Sequence, residues 1–219
     1  MSVITIERQV LAKNDAIASE NRARFRERGL FVLNVVSSPG AGKTSLLEET
    51  IATLKGRLRL GVVEGDVQTD LDAQRIARFG VPVVQLLTNG GCHLEAGLVQ
   101  QALERLDLSA LDVLVIENVG NLVCPANYDL GEALKVVVLS VTEGDDKPLK
   151  YPAMFRNASV LIINKTDLLP YVPCDLHTLK RNALQINPHL LIFETSCTSH
   201  SGVGAWCEWI TGKVILGHA

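Results

Sequence analysis

Seven short runs of almost unbroken Val, Ile and Leu dominate the sequence: LFVLNVVS (30–37), RLRLGVVE (57–64), VPVVQLLT (81–88), LDVLVIEN (111–118), LKVVVLSV (134–141), SVLIINK (159–165) and HLLIFETS (189–196). A strand with one wet face alternates apolar and polar residues. Runs this continuous are buried on both faces, as in a parallel sheet covered by helices. Helix-length stretches such as SLLEETIATLK, LEAGLVQQALERL and DLHTLKRNALQI separate most of them. The alternation predicts an α/β fold, a doubly wound, mostly parallel sheet with helices on both faces. Ahead of it, residues 4–28 place Ile6, Val10, Ile17 and Phe25 among many charges, spacing that fits an amphipathic helix ended by Gly29. With 219 residues and no internal repeat or linker, the chain is expected to be a single domain, 1–219, with residues 1–29 as an N-terminal helical extension.

Composition narrows the function classes. Lys and Arg total 21 against 24 Asp and Glu, a net charge of −3, which argues against coating nucleic acid or an anionic membrane. No apolar run approaches the roughly 20 residues that span a bilayer. The opening MSVITIERQVLAKNDAIASENRARFRERGL has no continuous apolar core of a secretory signal, so a cytoplasmic location is expected. Five cysteines, an odd number at 92, 124, 174, 197 and 207, predict reduced thiols and no disulfide framework.

The first run leads straight into Ser37-Ser38-Pro39-Gly40-Ala41-Gly42-Lys43-Thr44 and then a helical stretch beginning at Ser45. Strand, glycine-rich loop, Lys-Thr and helix form the context of a Walker A phosphate loop. Small residues let backbone N–H groups of Gly40 through Ser45 wrap a polyphosphate, with the positive end of the helix dipole beneath it. Lys43 reaches the terminal phosphates and the Thr44 hydroxyl ligates magnesium. Ser37 stands where the motif's first glycine is usual. An ordinary glycine-rich turn would have no need of Lys-Thr beside Gly42, so the fold is expected to be that of a P-loop NTPase.

SVLIINK delivers Asn164-Lys165-Thr166-Asp167 at a strand's carboxyl end, where open parallel sheets bind ligands. A carboxylate at Asp167 accepts hydrogen bonds from guanine N1–H and the 2-amino group, which adenine does not offer. The Lys165 stem covers the purine and Asn164 ties loops together. The next strand end, Thr195-Ser196-Cys197, is placed to meet the guanine carbonyl oxygen through Ser196 and Cys197. GTP and GDP are therefore the expected nucleotides, and a small-molecule kinase with adenine preference is disfavoured.

Acidic residues follow two other strands. Asp66 in EGDVQTD and Glu117 in ENVG are candidates to hold magnesium and, with Lys43, to serve hydrolysis; Asp70 is a weaker candidate. Gly120 has the spacing at which a backbone N–H meets a γ-phosphate. A solvated acid at a strand end is the plain alternative for each. With no arginine finger or water-positioning Gln to name, slow turnover is expected.

Cys92-His93 follows the third strand just before a predicted helix, whose N-terminus would lower the thiol pKa. Cys124 lies seven residues beyond Glu117. Thiolate and imidazole suit nickel or zinc. Two small buried hydrophobes and a capping histidine fit the same spacing, and would make the chain a regulatory GTPase without a metal site. Three ligands leave a coordination sphere that a second subunit can complete. Cys174 and Cys207 are expected to pack, and His177, His189, His200 and His218 to lie on the surface.

SSPGAGKTSLLE, EGDVQTDLDAQRI, NGGCHLEA, VIENVGNLVCP, VVVLSVTEGDDKPLKYP and NKTDLL together resemble the hydrogenase nickel-incorporation GTPases, the HypB family, related to the urease nickel chaperone UreG. The resemblance runs from about residue 8 to 216. It implies a homodimeric, GTP-hydrolysing metallochaperone carrying nickel or zinc at Cys92, His93 and Cys124. The implied partners are a nickel-transfer chaperone and the hydrogenase large subunit precursor. A urease client is the nearest alternative, and the loop Glu143–Pro148 is implied to contribute to the dimer or its nucleotide. Some members carry an N-terminal Cys-x-x-Cys-Gly-Cys motif or a histidine-rich stretch. Here the first cysteine is Cys92 and the first histidine His93, so one metal site and no storage are expected.

Overall fold

The computed structural model describes residues 6–217, with side chains from Val10 onward; residues 4 and 5, the Ile6 side chain and His218 lie outside that range. The elements follow as α1 (Ile6–Glu27), β1 (Phe31–Ser37), α2 (Lys43–Leu54), β2 (Leu60–Asp66), α3 (Leu71–Ala77), β3 (Val83–Leu87) and α4 (Ala96–Leu103). After these come β4 (Val113–Glu117), β5 (Leu134–Ser140), α5 (Lys147–Lys150), α6 (Pro152–Asn157), β6 (Val160–Asn164), α7 (Leu176–Ile186), β7 (Leu191–Glu194) and α8 (Val203–Ile215). All seven strands are parallel, in the order β3-β2-β4-β1-β5-β6-β7. From β1 the chain passes to one side through β2 and returns to the other through β5. The carboxyl end of β1 is thus a topological switch point, where doubly wound sheets open a ligand crevice.

Each apolar run yields a strand. The second shifts towards its carboxyl end, because Arg59 is bound at the surface by Asp112 while β2 keeps pairing with β3 as far as Asp66. Alternate side chains enter opposite layers. Phe31, Leu33 and Val35 pack with Leu46 and Ile51 of α2 and Trp206 and Ile210 of α8. Val32 meets Phe25 of α1 and Val99 and Leu103 of α4. Val36, Val137 and Leu139 meet Phe155 of α6 and Leu179 of α7. Burial of each such side chain is favourable by about 1.5–3 kcal/mol. Asn34, between Val32 and Val36, is the polar interruption of this pattern and is fully buried.

α1 matches the expected helix, and Gly29 beyond its end adopts φ +60°. Its inward face differs from the expected one. Val10 is exposed and Ile17 half-buried, whereas Asn14, Ala18, Asn21 and Phe25 point inward at i, i+4, i+7 spacing. The reason is hydrogen bonding. The Asn14 amide donates to Asp129 O (2.8 Å) and accepts from Ala96 N (2.9 Å), and Asn21 donates to Ala96 O (3.0 Å) and Leu130 O (3.1 Å).

On the opposite face of the sheet, Trp206 stacks on Trp209 with centroids 5.3 Å apart and donates its indole N–H to the Thr50 hydroxyl (3.1 Å). α8 is aimed by Gly202, at φ +72°, where a Cβ would stand 1.8 Å from the Glu194 carbonyl oxygen. Gly202→Ala is therefore expected to cost more than about 2 kcal/mol, from left-handed strain plus a backbone clash. Urea unfolding measures it; a loss under about 0.5 kcal/mol, the scale of an ordinary surface change, contradicts the geometry.

Candidate functional site

The loops leaving β1, β2, β4 and β6 line a cleft of about 510 Å³, among them residues Gly42, Lys43, Thr44, Asp66, Glu117, Gly120 and Lys165. Gly42 opens α2 at φ +97°, and a Cβ there would lie 2.6 Å from Asn164 Nδ2. Only glycine permits that approach, which lets Asn164 donate to Ala41 O at 3.0 Å. The Lys165 ammonium donates to Gly40 O at 2.7 Å, so the β6 loop clasps the phosphate loop at two points. Ser37 has a use for its hydroxyl. It donates to Ser38 O (2.6 Å) and accepts from Lys43 Nζ (3.1 Å), orienting the lysine into the cleft.

Glu117 is buried at the end of β4, accepting from the Thr44 hydroxyl (2.8 Å) with Lys43 Nζ at 3.9 Å. Its Oε2 is buried without a hydrogen-bond partner. Hard oxygen donors from Thr44 and Glu117 suit magnesium. Asp66 lines the same cleft but spends Oδ1 on the backbone N–H groups of Gln68 and Thr69, both at 2.8 Å. Burial pushes its carboxyl up, but those N–H groups and the Thr69 hydroxyl outweigh it and hold the group below the usual carboxylate range. Asp70 is exposed ahead of α3 and does not line the cleft, whereas Asp72 does.

Besides Asp72, two more charged cleft residues, Glu64 and Arg75, escaped the sequence reading. Glu64 pairs in register with Glu117 across β2 and β4 and is equally buried. Desolvation first, and the neighbouring Glu117 carboxylate second, push Glu64 up to about 11. Glu117 is also raised by burial, with Lys43 opposing. Burial and the neighbouring carboxylate thus favour the protonated form of Glu64, which can donate to Glu117, and Glu117 in turn faces the Lys43 ammonium. The predicted run ended at Glu64 and the motif reading took the acid that follows it, whereas β2 runs on to Asp66 and keeps Glu64 in register with Glu117. Arg75 of α3 also reaches the cleft, where it is bound to Glu48 and Asp72.

In the base-side loops, Asp167 accepts from the Ser196 hydroxyl (2.6 Å), and Thr195 Oγ1 donates to Asn164 Oδ1 (3.1 Å). The Cys197 thiol, pushed up to about 11 by burial, lies 3.7 Å from Asn164 Oδ1. Asn164, Lys165, Asp167, Ser196 and Cys197 thus form one constellation.

Cys92, His93 and Cys124 meet although they come from separate loops: one donor atom from each lies within 4.8 Å of the others. Cys92 Sγ is 3.6 Å from His93 Nδ1, and His93 Nε2 is buried without a hydrogen-bond partner. Burial lowers the His93 pKa, which favours the neutral imidazole that metals bind. Two thiols and an imidazole with an orphaned nitrogen fit a borderline or soft cation. The expected low thiol pKa is not found. Cys92 lies four residues before α4, away from its N-terminus, and its hydrogen bond with Cys124 and burial raise it. His93 caps no helix; its ring packs at 3.9 Å on Tyr128.

The remaining cysteines and histidines behave as plain packing and surface groups. Cys207 is buried, Cys174 packs partly buried beside α7, and all five cysteines are unpaired. His177 and His189 are exposed, and exposed His200 lies 2.7 Å from Glu49. Glu143 closes a capping box on Ser140, and Asp145 accepts from Asp175 N, so this loop is bonded within its own chain.

The family model described as CobW/HypB/UreG, nucleotide-binding domain, matches residues 31–194. Hydrogenase maturation factor HypB of Azotobacter vinelandii is 55% identical over 208 residues, covering 95% of this chain and 69% of its own length. The hydrogenase/urease maturation factor HypB of Helicobacter pylori J99 is 46% identical over 194 residues, 87% of this chain and 79% of its own. The crystal structure of Helicobacter pylori HypB in complex with nickel superposes with a TM-score of 0.90 at 40% identity, covering 94% of this chain and 97% of that one.

The carboxyl pair has a consequence for stability. The folded Glu64 pKa lies above the unfolded value, so the native state retains a proton the unfolded chain loses, and wild-type stability falls as pH rises from about 4.5 towards 11. Gln can donate the same hydrogen bond without ionising. Glu64→Gln is expected to match wild type near pH 4 and to become progressively more stable than it between pH 5 and 9. Parallel pH-dependent melts that show no divergence refute a neutral Glu64.

Proposed function

The chain belongs to the CobW/HypB/UreG family, in its HypB branch, and on that premise we propose that it is a GTP-binding, GTP-hydrolysing metallochaperone that carries nickel, or zinc, for nickel-iron hydrogenase maturation. The observation that carries the reading is the convergence of Cys92, His93 and Cys124 beside the strand that bears Glu117. Three donors leave a four-coordinate sphere one short, which supports a homodimer whose second copy, or a receiving protein, supplies the rest. A nickel-transfer chaperone and the hydrogenase large subunit precursor are the proposed partners, in the cytoplasm.

In this mechanism, backbone N–H groups of Gly40–Ser45 and the Lys43 ammonium hold the β- and γ-phosphates, and Asp167 with the Ser196–Cys197 loop reads guanine. Magnesium held by Thr44 and Glu117, with Asp66 lining the same cleft, neutralises developing phosphate charge when bound. The backbone of Gly120 meets the γ-phosphate; a Cβ there would lie 3.2 Å from Pro39 Cα, which keeps this segment against the phosphate loop. Cys124 follows four residues later, so a shift of Gly120 on hydrolysis moves one metal ligand relative to the other two. Arg75 lines the cleft with its guanidinium engaged by Glu48 and Asp72, which supports slow intrinsic turnover.

Asp167→Asn exchanges a double acceptor for a group that also donates. GTP affinity is expected to fall by about a hundredfold or more, the loss of two hydrogen bonds to a charged group, while the affinity for xanthosine triphosphate rises. Competition with labelled nucleotide measures both, and unchanged GTP affinity removes the guanine assignment. Cys92→Ser and Cys124→Ser are each expected to abolish stoichiometric nickel binding in chelator competition while GDP still binds. Full nickel binding by both variants leaves the cysteines as packing residues and the chain as a GTPase without this cargo.

A further inference from the structure

Beneath the metal-bearing loops lies a buried polar chain inside an otherwise apolar layer. The Asn118 side chain, next to Glu117, accepts from Leu94 N (3.0 Å) and Val119 N (2.9 Å), and its amide donates to Asn34 Oδ1 (3.2 Å). Asn34 donates to Glu132 Oε1 (3.0 Å), whose other oxygen accepts from Leu130 N (2.7 Å). Lys135, 3.9 Å from Glu132, donates to the carbonyls of Pro125 (3.1 Å), Ala126 (3.1 Å) and Tyr128 (2.9 Å). All four side chains are at most 9% exposed. The sheet positions around them are Val32, Val36, Leu114, Ile116 and Val137, so apolar residues would fill this layer without the cost of desolvating a charge pair.

The termini of the chain of bonds explain that cost. Leu94 directly follows Cys92-His93, and the three carbonyls on Lys135 belong to the turn that begins at Cys124. α1 joins the same two segments from outside, since Asn14 and Asn21 each bond both Ala96 and the 129–130 backbone. Two separate sets of buried amides therefore span one pair of loops. We infer that Asn118, Asn34, Glu132 and Lys135 are positioning residues of the metal site, holding the Cys92–His93 segment at a fixed spacing from the Cys124 segment and anchoring both to the strand end that carries Glu117. The inference rests on the metal-carrier reading above. None of the four touches the ion; they act through the backbone on either side of its ligands, as outer partners of metal ligands do.

The test compares the full chain with Asn34→Leu, close in size to the residue it replaces and not itself a lining residue of the nucleotide cleft, and with Leu103→Ala, which destabilises the same layer without bonding either segment. Nickel affinity is read by chelator competition, coordination by the thiolate-to-nickel absorption band, and the nucleotide site by GDP affinity. Asn34→Leu is expected to lose about tenfold or more in nickel affinity with a shifted band, and to keep GDP affinity within about threefold. Leu103→Ala, with a comparably lowered melting temperature, is expected to keep all three. Should Asn34→Leu fail to fold, Lys135→Met removes the donor to the Cys124 turn together with the charge beside Glu132, and carries the same expectation. Nickel affinity and band unchanged in the folded variant, or lost alike in Leu103→Ala, overturn the inference while the metal reading stands. A wild-type chain that binds GDP but no nickel overturns both.

Discussion

Seven strands running the same way place every strand's carboxyl end on one edge of the sheet, and the site follows from that constraint. Loops far apart in sequence open side by side there. Because β1 lies between β4 and β5, the phosphate loop sits between the Glu117 segment and, one strand further, the Asn164 segment. The clasp of Asn164 and Lys165 on Ala41 and Gly40 is formed by protein groups alone. The base side and the phosphate side are thus tied to each other directly through the protein.

Much of this was legible in the sequence because it is local. Continuous apolar runs mark the strands, and β1, β2, β4, β5 and β6 are buried on both faces, while the edge strands β3 and β7 are only partly so. The Ser37–Thr44 loop carries its chemistry in eight consecutive residues, and NKTD in four. Legibility stopped where function depends on register or on distant partners. Glu64 gained meaning only when β2 and β4 aligned it with Glu117. Cys92 sits near a helix in sequence, but the intervening residues turn it towards Cys124, reversing the expected pKa direction. The apolar spacing of Ile6, Val10, Ile17 and Phe25 did not reveal that Asn14 and Asn21 face inward, because the backbone groups they bond belong to two other segments.

These exceptions share a physical form. Asn118, Lys135, Asn14 and Asn21 each bond backbone of a segment between the regular elements. Loops at a sheet's edge leave backbone groups outside any ladder, and buried ones require partners. Side chains projecting from the rigid layers supply them. Asn118, Lys135 and Asn21 do for irregular backbone what neighbouring strands do for one another.

Cys92 and Cys124 are thirty-two positions apart in the chain, and their ligand atoms with that of His93 fall within 4.8 Å. A metal bound by all three acts as a removable cross-link across that loop. Because the three ligands converge only in the folded chain, the ion stabilises the fold as any ligand of the native state does, by an amount that grows with its free concentration relative to its dissociation constant. Cargo and fold are then thermodynamically linked, each favouring the other. Surrendering the ion leaves β3, the outermost strand at that edge, with one tie fewer to its surroundings. Amide exchange in β3 and its following loop would then register whether a given molecule is loaded or spent.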